Sequence, residues 1–291
     1  MFELILQTIV NALVASSATA LMAVGLVLIF GVMRVINFAH GELFMVGAYA
    51  VWYLYAQNGW PFMAAIAAAL VVVLLIGLVM ERFLFRPMRG NPLGGLIMSV
   101  GVLFILQVVA VEFGGVGLMK HVPSAVRGTV DLFGTGVLVP WQRVVVIGVS
   151  AVLLILLWLF LHRTKVGFAL RACAQDPEAA ALQGISINKF SLIAMGLGAG
   201  LAGAAGGVMA PLVRVDPYMG HSVIVTAFIV IIVGGVGSLE GAVLAAVLYT
   251  FFHTFVTTFY DGTIATILGL LIMLLVLIVK PTGIMGTSEK V

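Results

Sequence analysis

The chain has 291 residues, of which 63% are hydrophobic and only 9% carry a formal charge. Soluble domains carry about 25% charged residues, so this composition excludes a water-soluble protein and predicts an integral membrane protein. The formal net charge of +3 does not indicate nucleic-acid binding, because the basic residues cluster at the ends of apolar stretches, as they do in membrane proteins.

Apolar stretches follow one another along the whole chain, and each is predicted to cross the membrane as a helix. About 20 apolar residues suffice to span a hydrocarbon core of ~30 Å. The first stretch is too long for a cleaved signal peptide and is expected to be retained. The predicted spans cover 8–33, 38–56, 62–82, 93–113, 143–161, 189–211, 221–238, 241–259 and 263–280.

The predicted fold class is therefore an all-α, polytopic membrane helical bundle of about 8–10 transmembrane helices. The number of spans depends on 221–241, where glycines interrupt the apolar sequence and a re-entrant pair of helices is an alternative. The whole of 1–291 is predicted to form a single transmembrane domain.

Basic residues set the predicted orientation, because they collect after the third, fifth and ninth spans. They are Arg82, Arg86, Arg89, Arg163, Lys165, Arg171 and Lys280. Positively charged connections lie in the cytoplasm, so the N-terminus is predicted outside and the C-terminus inside. The single cysteine, Cys173, then lies on the cytoplasmic side, where a thiol stays reduced.

The one sizeable extracytoplasmic loop is predicted to cover 114–142. It contains short alternating pieces such as 129–133, which indicate a small hairpin and loop cap. A plain connecting loop and a docking platform for an external partner remain the two alternatives for its role.

Two places in the chain join apolar helices through glycine and a lone glutamate. The glutamate is Glu42 within 31–48 and Glu240 within 234–242. Interrupted helices at matching positions of two internal repeats mark the conduction site of many transporters, whereas chance similarity in a sequence rich in Gly, Ala and Val is the alternative. The candidate pathway residues are Asn37, His40, Glu42, Gly237 and Glu240. A side chain that merely reaches the interface from a span end is the competing interpretation.

Enzyme signatures are missing from the sequence, which contains no phosphate-binding P-loop, no H-E-x-x-H and no paired Cys/His metal spacing. The G-x-G-x-x-G pattern at 198–203 lies inside an apolar span without a preceding strand, so it indicates close helix packing and not a nucleotide site. The chain is predicted not to be an enzyme and to bind no metal. Active transport would take its energy from another protein or from an ion gradient.

The cytoplasmic segment 162–188 encodes a short separate helix. Asp176 is a good N-cap, Pro177 suits the first helical position, Glu178 complements the helix dipole and Gly184 ends the helix. Two turns of helix are marginal in water alone, so this helix is expected to dock into a groove of a partner. Packing back onto its own chain is the alternative.

These motifs resemble a known family. The run 178–185 is similar to the Glu-Ala-Ala…Gly loop by which permeases of ATP-binding-cassette (ABC) importers contact their ATPases, and 36–45 with 234–241 resembles branched-chain amino-acid permeases of the Liv type, H-subunit branch. The resemblance covers essentially the whole chain and implies one ABC importer permease domain, with 162–188 as its coupling loop. The residues implied to couple to the ATPase are Arg171, Asp176, Pro177, Glu178, Ala179, Ala180 and Gly184.

The resemblance also implies the partners and the solute. They would be a second homologous permease, two cytoplasmic ATPases that bind ATP and Mg, and an extracytoplasmic binding protein that delivers leucine, isoleucine or valine. This chain would hold no cofactor and would lie in the bacterial plasma (inner) membrane. Urea, short amides and aromatic acids are alternative solutes, and an ion-coupled carrier, a passive channel and a membrane-embedded enzyme are alternative classes.

Overall fold

The computed structural model describes residues 1–115, 119–131, 134 and 136–286. The α-helices in these residues are α1 (Phe2–Met33), α2 (His40–Val51), α3 (Phe62–Met80), α4 (Pro92–Gly114), α5 (Trp141–Arg163), α6 (Lys165–Gln175), α7 (Pro177–Leu182), α8 (Ile187–Met209), α9 (Met219–Gly234), α10 (Leu239–Phe259) and α11 (Gly262–Val279). Two short strands, β1 (Thr129–Asp131) and β2 (Leu138–Pro140), complete the fold.

The predicted all-α membrane bundle is confirmed. Within the described residues, the helices that are long and apolar enough to cross a membrane number 7, namely α1, α3, α4, α5, α8, α10 and α11. The two other predicted spans are also apolar helices, but shorter: α2 continues through a π-helical segment, Trp52–Gln57, and α9 has 16 residues.

Two details of the prediction need correction. Residues 235–238 were expected inside a span but form a turn, because Gly235 and Gly237 adopt φ values of 108° and 91° that a helix does not allow. The cytoplasmic segment contains a further helix, α6, whose start is capped by the Thr164 side chain accepting from the Gly167 backbone N–H.

Helix α8 forms the centre of the bundle because its glycines let neighbouring backbones approach closely. A Cβ atom on Gly198 would lie 2.7 Å from the Ile29 side chain of α1, and one on Gly203 would lie 2.6 Å from Val73 of α3. A Cβ on Gly206 would overlap the Phe44 carbonyl of α2. The close-packing interpretation of the glycine motif is therefore confirmed, and α1, α2, α3 and α8 form one tightly packed unit.

Helices α2 and α9 both begin inside the bundle. The His40 ring at the start of α2 lies 3.2 Å from the Met22 carbonyl of α1. Met22 is about 16 Å along α1 from the end of that helix at Met33. A Cβ on Gly41 would lie 2.8 Å from the Ile224 side chain of α9 and would overlap the Gly220 carbonyl. The first turns of the two helices therefore meet at membrane depth.

One end of the bundle, here called the loop end, carries the segment between α4 and α5. Strands β1 and β2 pair antiparallel with Val130 opposite Val139, so this segment forms a hairpin as predicted. Residues 132 and 133 of the expected hairpin lie outside the described residues. Val139 packs with Val10 of α1, and Lys120 forms a bridge with Val215. The hairpin therefore packs on the bundle.

The opposite end, here called the basic end, carries the predicted cytoplasmic connections. Gly31 at the end of α1 faces Ala174 of α6. The C-terminal segment 280–286 covers the end of α9, because the Ile284 backbone N–H donates to the Val233 carbonyl at 2.8 Å. All three connections rich in basic residues lie at this end.

Candidate coupling surface and membrane-embedded polar cluster

Helix α7 is a separate, capped helix at the basic end. The Asp176 carboxylate accepts from the backbone N–H groups of Glu178 and Ala179, both at 2.9 Å. Pro177 occupies the first helical position, and Gly184 ends the helix with a φ of 80°. The predicted helix is therefore present, with the cap that its sequence indicates.

The surface of α7 is largely uncovered. Ala180 packs inward, whereas Glu178, Ala179 and Gly184 are exposed and Leu182 is 87% exposed. We define the exposed residues 178, 179 and 181–184 as the coupling surface.

Arg171 lies on α6 and not on this surface. Its guanidinium stacks over the Phe168 ring, 4.9 Å from the ring centroid. Of the residues implied to couple to an ATPase, the structure therefore groups 176–184 in one helix and places Arg171 on the neighbouring one.

A buried ion pair at the end of α3 is linked by a further hydrogen bond to the start of α8. The Glu81 carboxylate is fully buried, and it accepts from the Arg89 guanidinium. Arg89 also donates to the Asn188 side chain in the first turn of α8. Because α8 follows α7 after four residues, this network connects the coupling helix to α3.

A polar cluster lies where α2 and α9 begin. Gln107 of α4 donates through Nε2 to the buried Glu42 carboxylate at 3.0 Å, and the same nitrogen lies 3.1 Å from His221 Nε2. The other Glu42 oxygen, Oε2, is buried without a hydrogen-bond partner among the described residues. We define Glu42, Gln107 and His221 as the polar cluster.

The irregular segment 34–39 that leads into α2 is held in place by hydrogen bonds. The Asn37 side-chain oxygen accepts from the Ala39 backbone N–H at 3.1 Å, which fixes the turn just before α2. The Phe38 backbone N–H donates to Ser99 Oγ at 3.1 Å. Asn37, His40 and Glu42 are all buried at the entry to α2. Their side chains contact three different helices, at Met195 of α8, Met22 of α1 and Gln107 of α4.

The other two pathway candidates lie elsewhere. Gly237 is exposed in the turn between α9 and α10, and Glu240 is exposed in the first turn of α10, both at the basic end. The two interrupted sites also differ in geometry, because the backbones of Gly234 and Gly241 touch across a tight turn, whereas residues 34–39 run up into the bundle. The internal repeat stays a prediction.

Sequence reasoning missed the partners of these side chains. Gln107 is 65 positions from Glu42 and 114 positions from His221 in the sequence. Asn188 is 99 positions from Arg89. The one available signal was the presence of Gln107 and His221 as polar residues within apolar stretches. No group of His, Cys, Asp and Glu side chains that could hold a metal ion occurs in the part of the chain that the structure describes.

Comparison with known proteins gives consistent results. The family described as branched-chain amino acid transport system / permease component matches residues 8–279. The chain is 33% identical to the high-affinity branched-chain amino acid transport system permease protein BraD of Pseudomonas aeruginosa, over 98% of this chain and 96% of the relative. It is 29% identical to LivH of Escherichia coli K12, a permease protein of the same description, over 99% and 97% of the two chains.

An archaeal relative and a solved structure extend the comparison. The probable branched-chain amino acid transport permease protein LivH of Methanocaldococcus jannaschii is 29% identical over 96% of this chain and 92% of its own. The structure of PsaBC from Streptococcus pneumoniae in complex with Fab is similar in fold, with a TM-score of 0.50 at 14% identity, over 94% of this chain and 91% of that chain.

Proposed function

The chain belongs to the family of permease components of branched-chain amino acid transport systems, and we propose that it forms the transmembrane pathway of an ABC importer for leucine, isoleucine and valine. The observation that carries this proposal is the family match over residues 8–279 together with the exposed, capped helix α7. As a multi-pass membrane permease, the chain is a transport subunit and not an enzyme.

Its partners follow from this proposal. Two cytoplasmic ATPases bind ATP and Mg and accept the coupling surface, and a second homologous permease completes the pathway. An extracytoplasmic binding protein delivers the solute at the loop end. The chain itself holds no cofactor, and the complex lies in the bacterial plasma (inner) membrane.

The coupling mechanism uses the rigidity of the central helices. ATP binding moves the ATPase groove that holds residues 176–184, and α7 passes this motion to α8 through the short connection at 183–186. Because α1, α2 and α3 pack on α8 through glycines, they move with it. The solute is driven inward because ATP and the loaded binding protein favour different states of the pathway.

The pathway passes the start of α2, where Asn37, His40 and Glu42 lie, and we place its inner mouth at Gly237 and Glu240. Buried ionisable groups at membrane depth are rare and mark the routes of solutes or ions. Glu42 is such a group, since its carboxylate is fully buried and it lies in the first turn of α2, inside the bundle.

The test is ATP-dependent uptake of labelled leucine into vesicles that contain this chain and the partner subunits encoded beside it. Competition by isoleucine and valine supports the branched-chain assignment, whereas competition by urea or benzoate replaces it with one of these solutes. Uptake without ATP would contradict the ABC mechanism and favour an ion-coupled carrier or a channel.

A matched pair of glycine variants tests the coupling role of α7. Gly184 and Gly59 both have positive φ, 80° and 70°, and neither has atoms near the position of a Cβ. Gly184→Val distorts the end of the coupling helix and should lower leucine uptake per ATP hydrolysed, whereas Gly59→Val creates the same backbone strain far from the coupling surface. Equal leucine uptake per ATP hydrolysed in the two variants would contradict a coupling role for α7.

A further inference from the structure

The polar cluster lies well inside the membrane. Gln107 is about 22 Å along α4 from its start at Pro92 and about 10 Å from its end at Gly114. His221 contacts Gln107 directly, so it lies at the same depth. The cluster is therefore within the hydrocarbon thickness of about 30 Å and not at its surface.

His221 is exposed on the outside of this chain although it lies at that depth. A polar ring facing lipid would leave a hydrogen-bonding nitrogen without a partner, which is unfavourable in hydrocarbon. The neighbouring Ser222 in the first turn of α9 is exposed as well. This face of α4 and α9 is therefore suited to water and not to lipid.

Gln107 links that face to the buried carboxylate. Its amide nitrogen has two hydrogens: one is donated to Glu42 Oε1 and the other is directed at His221 Nε2. The Gln107 side chain thus lies between Glu42 and the exposed face. A rotation of this side chain would bring Glu42 into contact with whatever fills the space beside His221.

Glu42 has an unused acceptor in this position. Its Oε2 atom has no hydrogen-bond partner among the described residues, and an ionised carboxylate only accepts hydrogen bonds. On the other side of the carboxylate lies Gly220, where a Cβ would be 2.7 Å from both oxygens. Any side chain at position 220 would therefore overlap the Glu42 carboxylate, which packs directly against the glycine backbone.

We propose that the face of α4 and α9 that carries His221 and Ser222 lines the solute pathway, and that Glu42, reached past Gln107, binds the ammonium group of the passing solute. An ammonium group offers three donors and a positive charge, which match a buried carboxylate with a free oxygen. The ligand class, a primary ammonium compound, rests on the proposed function as an amino-acid permease.

Cysteine labelling in the assembled complex tests the pathway face. Cys173, the single native cysteine, is buried, so a cationic, membrane-impermeant methanethiosulfonate reagent reports on introduced cysteines. His221→Cys and Ser222→Cys should react about tenfold or more faster than Ile155→Cys, because the reactive thiolate forms only in contact with water. Ile155 is a matched control, since it is 57% exposed in the middle of α5.

Equally slow labelling of all three introduced cysteines would overturn the pathway face, because it is the result expected of a surface covered by lipid or by the second permease. Leucine delivered by the binding protein should slow the reaction of His221→Cys. The comparison of the three labelling rates without solute does not require that the solute has been identified correctly.

Substitution of the carboxylate tests the ammonium site. Glu42→Gln should lower leucine uptake about tenfold or more, the usual effect of losing a hydrogen bond to a charged group, while Glu42→Asp should keep part of the uptake. Glu112→Gln on the same helix as Gln107 is the control, because Glu112 is exposed. Thermal unfolding of each variant separates loss of binding from loss of folding.

The outcomes separate the two proposals. Leucine uptake by Glu42→Gln at the wild-type rate overturns the ammonium site and leaves the amino-acid permease standing. If the wild-type complex takes up no amino acid, the proposed solute and the ammonium site are both wrong, and the labelling rates still decide whether the α4 and α9 face is a pathway.

Discussion

At the scale of single residues, small side chains decide how closely the helices of this protein pack. In α8 a Cβ on Gly206 would overlap the Phe44 carbonyl and lie 3.2 Å from the Ala48 backbone nitrogen, whereas a Cβ on Gly148 of α5 would meet open space. The two glycines are both helical, so they differ in their surroundings and not in their backbone conformation.

Gly206→Ala should therefore lower the free energy of unfolding by about 1–3 kcal/mol through overpacking. Gly148→Ala should raise it by up to about 1 kcal/mol, because alanine favours a helix more than glycine does. Thermal unfolding of the purified chain in detergent measures both changes. If the two variants shifted in the same direction, the close contact between α2 and α8 would be wrong.

Burial also determines the chemistry of the single thiol. Cys173 of α6 is buried, and burial raises the pKa of its thiol. Since only the thiolate reacts, Cys173 should react slowly with a maleimide in the folded protein at neutral pH and quickly after unfolding. Leu182→Cys on the coupling surface should react fast in the folded protein and more slowly once the ATPases are bound. Fast labelling of the wild-type chain would contradict the burial of Cys173.

At the scale of elements, the connection between α7 and the bundle is the feature on which the proposed coupling mechanism depends. In the proposed coupling mechanism, α7, a helix of six residues, acts on the bundle through the start of α8. Arg89 holds that start to the buried Glu81 at the end of α3. A helix whose first turn is tied to a neighbour transmits a displacement better than one whose first turn is free to bend.

Asn188→Ala should raise the ATP hydrolysed per leucine taken up by about fivefold, the lower range of typical coupling free energies. Asn188→Asp should preserve coupling, because a carboxylate also accepts from Arg89. Lys189→Ala is the control, since it removes the adjacent exposed side chain. The prediction fails if Asn188→Ala and Lys189→Ala hydrolyse the same amount of ATP per leucine.

At the scale of the whole molecule, the two ends of the bundle differ in charge and in shape. The basic end carries the arginine-rich connections and the coupling surface, and the loop end carries the hairpin and the turn between the π-helical segment after α2 and the start of α3. By the positive-inside rule, the basic end is predicted to lie in the cytoplasm. A binding protein and the ATPases would then act on opposite ends of the same helices.

Introduced cysteines test this orientation in intact cells, where the buried Cys173 gives little background. Asn58→Cys at the loop end should be labelled by an impermeant maleimide added outside, and Gly90→Cys at the basic end should be labelled only after the membrane is opened. Both positions are exposed, so a difference in labelling reports the side of the membrane. The reverse result would invert the topology.

The sequence was enough to predict that this is a membrane protein, most of its apolar helices, the capped helix α7 and its family. These properties depend on composition or on neighbours in the chain: apolar stretches of span length, the cap from Asp176 to Glu178 and Ala179, and the glycines that permit tight turns. Local patterns can predict them because the forces that produce them act over a few residues.

The tertiary structure alone decided which polar side chains meet. Glu42 and Glu240 have similar sequence surroundings and each lies in the first turn of a helix, yet Glu42 is fully buried beside Gln107 and Glu240 is exposed. Likewise, nothing near Glu81 in the sequence indicates that Arg89 joins it to Asn188, 99 positions further on. Such contacts depend on how the glycine faces of α8 orient the helices around it, and that orientation is a property of packing and not of any single segment.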